Sequence, residues 1–183
     1  MPFVEITPSE FDLEIELAYA TENNFTGGPI YCRNACYLHA ETAVLLGHVI
    51  EHARPLGLRL KILDGFRPTE AQWALWNHTP DPDFVADPRR GSPHSRGAAV
   101  DLTLLDAAGH ELDMGTGFDE FSDRAHHGSQ DISPIAQRNR ALLLGLMTMA
   151  GFDHYLLEWW HYQLHDSRRL PLFSDRAAGT QLL

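Results

Sequence analysis

The 183-residue chain is 44% hydrophobic and 21% charged, with 14 Gly and 11 Pro scattered along it, a profile that excludes an intrinsically disordered chain and leads us to expect one globular domain over residues 1–183. Its formal net charge of −11 and lack of any basic stripe oppose the counterion release that drives nucleic-acid binding, so no nucleic-acid partner is expected. The longest apolar run, "ALLLGLMTMAGF", is too short to span a bilayer, and the acidic start "MPFVEITPSEFDLEIEL" has neither a basic nor a long apolar leader region. No membrane association is therefore expected, and a cytoplasmic location follows, or a periplasmic one for a mature chain already freed of a signal.

The only cysteines, Cys32 and Cys36 in "YCRNACY", form no disulfide framework, and C-x-x-x-C alone is half a zinc site; they read as small thiols near a turn. A helix is predicted from about His39 to Arg54, because Leu38, Thr42, Leu45, Leu46, Val49 and Ala53 share one face before Pro55 and Gly57 stop it. "RLKILDGF" (59–66) alternates as a strand does and runs into "RPTEAQWALW", where Pro68 suits a first helical turn. Residues 79–97 form a long Pro/Asp/Gly/Ser loop. "AAVDLTLLDAAGHELDMG" reads as a strand, a turn at Asp106 to Gly109 and a short returning segment. A polar loop covers 115–132. A helix then begins with Ser133 as N-cap and Pro134 at its first position and ends at Gly151, and "YLLEWWHYQL" is aromatic-rich strand material. The order is α+β, mainly an antiparallel sheet with packed helices, without the regular alternation of a Rossmann sheet.

Eleven histidines are present. "HVIEH", His48 to His52, fits the H-x-x-E-H signature of inverted zinc proteases, but the helical wheel sets Glu51 opposite the apolar face and both histidines on the polar flank, where a solvated surface carries such residues. His94, Asp101, Glu158 and His161 differ, since they lie at the ends of separate elements inside apolar sequence. An unpaired carboxylate in the strand "AAVDLTLL" would cost several kcal/mol or be forced neutral, so Asp101 needs a cation, a hydrogen-bond cluster or a metal. "LEWWHY" surrounds Glu158 and His161 with tryptophans that exclude water. Two histidines and a carboxylate leave an open position on zinc. From spacing alone two readings stand: this zinc set, or a loop histidine, an Asp101–arginine pair and an aromatic core. An iron oxygenase triad fits less well, because its His and Asp commonly lie two apart on a strand.

"SPHSRGAAVDL" together with "EWWHY" resembles the S-x-H-x-x-G-x-A-x-D and E-x-W-H pair of zinc D-alanyl-D-alanine dipeptidases, the group that includes enzymes of vancomycin resistance. The likeness extends to "YATENNFTG" (19–27), "DGFRP" (64–68), "MGTGFDEF" (114–121) and "AQRNRALL" (136–143), with Pro93 and Phe66 as small variations. It implies one zinc on His94, Asp101 and His161, a catalytic base at Glu158 and a transition-state arginine at Arg67. It also implies the compact α+β fold shared with D,D-peptidases and the hedgehog signalling domain. The substrate implied is a small zwitterionic D,D-dipeptide, D-alanyl-D-alanine, with Asp119 as partner of its ammonium and Tyr19 and Ser92 as polar contacts. Gly97 is expected to let the chain turn so that His94 and Asp101 converge on one ion. The loops at 79–93 and 115–132 are expected to cap a small cavity, which disfavours the alternatives on the same scaffold, a D,D-carboxypeptidase or cell-wall endopeptidase. A zinc-stabilised binding module without activity is disfavoured by Glu158 and Arg67. Asp64 and Arg96 are left to ion pairing near the site.

Overall fold

The computed structural model describes residues 2–183. A five-stranded sheet runs in the order β2 (Glu14–Ile15), β4 (Arg59–Asp64), β5 (Ala99–Leu105), β7 (His161–Leu164), β6 (Phe152–His154). All its pairings are antiparallel except β2 with β4, which is parallel. A separate ribbon joins β1 (Phe3–Ile6) to β3 (Cys36–His39). The expected α+β architecture is therefore present, with one parallel edge. Among the described residues, no helix is long and apolar enough to cross a membrane.

The two long helices form where their caps and apolar faces predict. In α2 (Ala40–Ala53) the His39 ring accepts from the Glu41 amide, and Thr42, Leu46, Val49 and Ala53 are buried, whereas Leu38 is the buried interior of β3 rather than part of the helical face. In α4 (Pro134–Ala150) Ser133 Oγ accepts from the Ala136 amide, and Gly151 closes the end at φ 103°, a left-handed conformation that glycine adopts without a Cβ penalty. These helices pack on each other and on the sheet, Leu46, Val49, Leu143 and Met147 sharing one apolar core with Leu60, Ile62, Val100 and Leu102. Helix α3 (Thr69–His78) starts one residue after Pro68, which is its N-cap. Short helices α1 (Pro8–Phe11) and α5 (Asp175–Ala178) complete the set.

One expectation is corrected. "YLLEWWHYQL" is a strand only from His161; residues 155–160 turn, with Glu158 N donating to Tyr155 O and Trp159 N to Ala125 O. Trp159 bonds the neighbouring loop at Ala125 and Thr116, while Trp160 O still accepts from Leu102 N of β5, and the burial of both rings outweighs the β-propensity of an aromatic run. The expected turn at Asp106 to Gly109 and the short segment returning after it are present, the latter joined to β5 by the bridge of Leu105 with Glu111.

Candidate active site

The sheet register assembles most of the site. Asp101 in the central strand β5 stands directly opposite His161 of β7 on one side and Asp64 of β4 on the other, so three polar side chains form a row across three strands. A register shift between Ile62 and Asp64 brings Asp64 into that row, the kind of irregularity that re-aims a side chain beside a site. His94 arrives from a 3-10 turn, His94–Arg96, that ends at Gly97 with φ 64°. A Cβ on Gly97 would lie 2.5 Å from the Phe3 ring and 2.8 Å from the His39 amide nitrogen, so the position excludes larger residues by space as well as by backbone conformation.

Among the described residues, only His94, Asp101 and His161 bring three ligand atoms within 4.8 Å of one another, and all three are buried. His94 Nε2 is 3.1 Å from His161 Nδ1 and 3.3 Å from Asp101 Oδ2, while His161 Nδ1 is 3.1 Å from Asp101 Oδ1. The outer ring nitrogens face acceptors: His94 Nδ1 meets Gly65 O at 2.8 Å and His161 Nε2 meets Gln163 Oε1 at 3.0 Å. With each outer nitrogen donating, both neutral imidazoles turn a lone pair toward the same point as the carboxylate. Such a donor set fits a divalent cation, and two imidazoles with one carboxylate are chemistry that zinc favours. Burial works against ionising Asp101, yet the facing His94 and His161 hold its carboxyl well below the usual carboxylate range. Arg67 Nη2 also lies 3.7 Å from Asp101 Oδ2, so the alternative of an arginine partner is met as well.

Around this cluster lies a cavity of about 220 Å³ lined by Tyr19, Arg67, Ser92, Asp119 and Glu158 together with His94, Asp101 and His161. It is smaller than the roughly 300–1,000 Å³ of drug-sized pockets. The Glu158 carboxylate is 3.9 Å from His161 Nδ1 and, among the described residues, accepts no hydrogen bond. Burial, with the charges of Asp101 and Asp119 added, pushes its pKa well above the ordinary value. Asp119, at φ 56°, accepts a 2.7 Å hydrogen bond from Tyr19 Oη, and burial pushes its carboxyl up to about 7. Ser92 is buried with its Oγ accepting from the His94 amide at 3.2 Å, so it also supports the loop that carries His94.

Arg67 is 7% exposed and is gripped by Asp64, Nε donating to Oδ2 at 2.9 Å and Nη2 lying 2.7 Å from the same oxygen. Burial opposes its charge, but Asp64 and its neighbours raise its pKa overall, keeping it cationic. Tyr31 Oη donates to the other Asp64 oxygen at 2.9 Å. The ion pairing expected of Asp64 is thus present. For Arg96 the expectation is corrected: its Nη1 donates to the Leu170 carbonyl instead of pairing with a carboxylate, because its turn faces the C-terminal segment. The two polar loops meet at the cavity wall, where Phe84, which lines it, stacks on Phe121 at 4.8 Å, and Tyr155 from the turn before β7 donates its Oη to Asp83 O at 3.1 Å. His48 and Glu51 are exposed and His52 half-buried on α2. Sequence reasoning missed Gly65 O, Gln72 and Gln163, which orient site residues; Gly65 reaches His94 across 29 residues, whereas Gln72 sits five residues from Arg67 and Gln163 two from His161, where the i, i+2 spacing along a strand was the available signal.

The family model described as peptidase M15, D-ala-D-ala dipeptidase, matches residues 2–178. The chain belongs to this dipeptidase family. Membership makes it a peptidase and bears out the resemblance carried by the motifs around His94 and Glu158. A D-alanyl-D-alanine dipeptidase of Escherichia coli is 47% identical over 175 residues, covering 93% of this chain and 91% of the relative. One from Enterococcus faecium is 38% identical over 170 residues, 81% of this chain and 84% of that one. A solved vancomycin-resistance D,D-pentapeptidase, VanY, in complex with Zn(II) aligns with a TM-score of 0.46 at 18% identity, over 86% of this chain and 81% of that one.

Proposed function

We propose that residues 1–183 form one zinc-dependent dipeptidase domain that hydrolyses free D-alanyl-D-alanine to two molecules of D-alanine, with one zinc per chain on His94, Asp101 and His161. The observation that carries this reading is the convergence of three buried ligand atoms beside an unpartnered carboxylate and a buried arginine in one small cavity. Zinc, when bound, acts as a Lewis acid that makes water acidic enough to lose a proton near neutral pH. Glu158 takes that proton at its carboxylate as water attacks the peptide carbonyl and returns it to the leaving amine nitrogen. Arg67 donates toward the carbonyl oxygen as negative charge grows there, and Asp64 holds the guanidinium in place for it.

A free dipeptide also brings an ammonium group. Asp119 takes it, with Tyr19 and Ser92 as polar neighbours, and the meeting of the two loops at the cavity wall supports a substrate that ends there. Longer substrates, those of a D,D-carboxypeptidase or endopeptidase, need an open groove. The test compares D-Ala-D-Ala, L-Ala-L-Ala, N-acetyl-D-Ala-D-Ala and a pentapeptide ending in D-Ala-D-Ala under identical conditions. We expect only the first to be cleaved well; equal cleavage of the acetylated dipeptide or the pentapeptide would replace the dipeptidase reading with the carboxypeptidase one.

A further inference from the structure

We infer that Gln72 is a positioning residue that couples the loop at the cavity wall, residues 79–93, to the orientation of Arg67; the inference rests on the reading of Arg67 as the group that meets the carbonyl oxygen. Gln72 lies in the first turn of α3 and is 1% exposed. Its amide is used at both ends. Oε1 accepts from Arg67 Nη1 at 3.0 Å, and Nε2 donates to the Ala86 carbonyl at 2.8 Å.

Both connections are specific. Asp64 occupies the Nε and Nη2 edge of the guanidinium, so Gln72 is the partner of the remaining nitrogen, and together they fix its plane from two sides. Ala86 and its neighbours Phe84 and Val85 line the cavity wall. This stretch contains no helix or strand; turn hydrogen bonds such as Val85 N to Asp81 O, the burial of Val85 in the core, the stack of Phe84 on Phe121 and the Tyr155 bond to Asp83 hold it, and Gln72 is what ties it to the arginine. A buried amide left with an open end is costly, so Gln72 favours the arrangement in which the loop is seated and the arginine is aimed at once. When the Ala86 carbonyl departs, the amide loses its acceptor and is free to turn, and Arg67 loses its support on the Nη1 side. A substrate that seats the loop therefore also sets the arginine.

Two substitutions separate the two ends. Gln72→Met keeps the length and removes both bonds. Gln72→Glu still accepts from Arg67 but, ionised, has no proton for the Ala86 carbonyl. With zinc-loaded enzyme and D-Ala-D-Ala, Gln72→Met is expected to lower kcat about tenfold or more, the scale of a misplaced catalytic group. Gln72→Glu is expected to keep kcat within about threefold of wild type while KM rises, because the arginine end survives and the loop end does not. Arg67→Met, run alongside, is expected to lose about 10²–10³ in kcat. An unchanged kcat in Gln72→Met overturns the coupling, as do equal losses of kcat and melting temperature in both Gln72 variants, which a space-filling role would give. If Gln72→Met does not fold, the split between kcat and KM in Gln72→Glu decides alone. An active Arg67→Met would instead overturn the role given to Arg67, an outcome distinct from failure of Gln72→Met beside a crippled Arg67→Met.

Discussion

Two regions of this chain carry two histidines and a carboxylate, and they have different fates. On α2, Glu51 and His52 each stand about one helical turn after His48, with His48 and Glu51 exposed and His52 half-buried. At the sheet, His94 of the 3-10 turn and Asp101 and His161 of β5 and β7 are separated by up to 67 residues and yet lie within hydrogen-bond distance of one another, buried. A helix provides proximity cheaply, and so a short motif there says little. A cross-strand row supplemented by a glycine-ended turn has to be built, and its cost in buried polar groups has to be met by hydrogen bonds or an ion. Convergence with burial, rather than the presence of the right letters, distinguishes a centre from a surface.

The strongest way to break this contrast is to remove one histidine from each region. His161→Ala should lose zinc and bring hydrolysis to background, whereas His48→Ala should retain both; metal analysis beside turnover reads the outcome, and retained zinc in the first or lost zinc in the second would reverse the assignment. Next in size, Glu158→Gln should keep its zinc and lose about 10²–10⁴ in turnover, since the amide matches the shape of the acid and cannot take a proton. Near-normal turnover in the loaded variant would make another group the base.

Asp119→Asn sharpens the comparison by testing a half-buried carboxylate outside the cross-strand row. A hydrogen bond to a charged group is worth about 1.5–3 kcal/mol, so kcat/KM should fall roughly tenfold to a hundredfold, with most of the loss in KM. Because burial pushes the Asp119 carboxyl up to about 7, wild-type KM should rise as pH falls below that value and the anion is protonated. The Asn variant should lack this dependence, and a variant that kept it would place the titration elsewhere.

The smallest effect concerns a histidine of a third kind. His127 has a buried Nε2 with no hydrogen-bond partner among the described residues, and its ring lies 5.0 Å from that of His154. Burial, aided by His154 and Arg140, lowers its pKa from 6.5 to about 4. Between those values the unfolded chain binds the extra proton, so this contribution to stability is present above about 6.5 and is lost as pH falls toward 4. His127→Phe should flatten that part of the profile in denaturant titrations at several pH values; an unchanged slope would show that His127 does not carry it.

Helices α2 and α4 were legible because their stops and apolar periodicity are local, Ser133, Pro134 and Gly151 above all. Strand β5 was legible from "AAVDLTLL", whose seven structured residues are all buried. The opening strands β1, β2 and β3 were not, since two to four residues have no period to read and their pairing is decided by tertiary contact. The turn before His161 was hidden for a related reason: Trp159 and Trp160 look like strand residues until the loop that receives them is known. At the site, resemblance pointed to the ligand set and the structure placed its members together. The row through Asp64 depends on a register shift, and the bridge through Gln72 joins two segments that only the fold brings near.

The central claim is that one zinc at His94, Asp101 and His161 is required for hydrolysis of D-Ala-D-Ala. The most direct measurement strips the wild-type protein with chelator and returns zinc in known increments while D-alanine release is followed. Activity should rise linearly and break at one zinc per chain, with His161→Ala failing to recover at any ratio. Full activity in the stripped protein, a break at two zincs, or recovery of the His161→Ala protein would contradict the account.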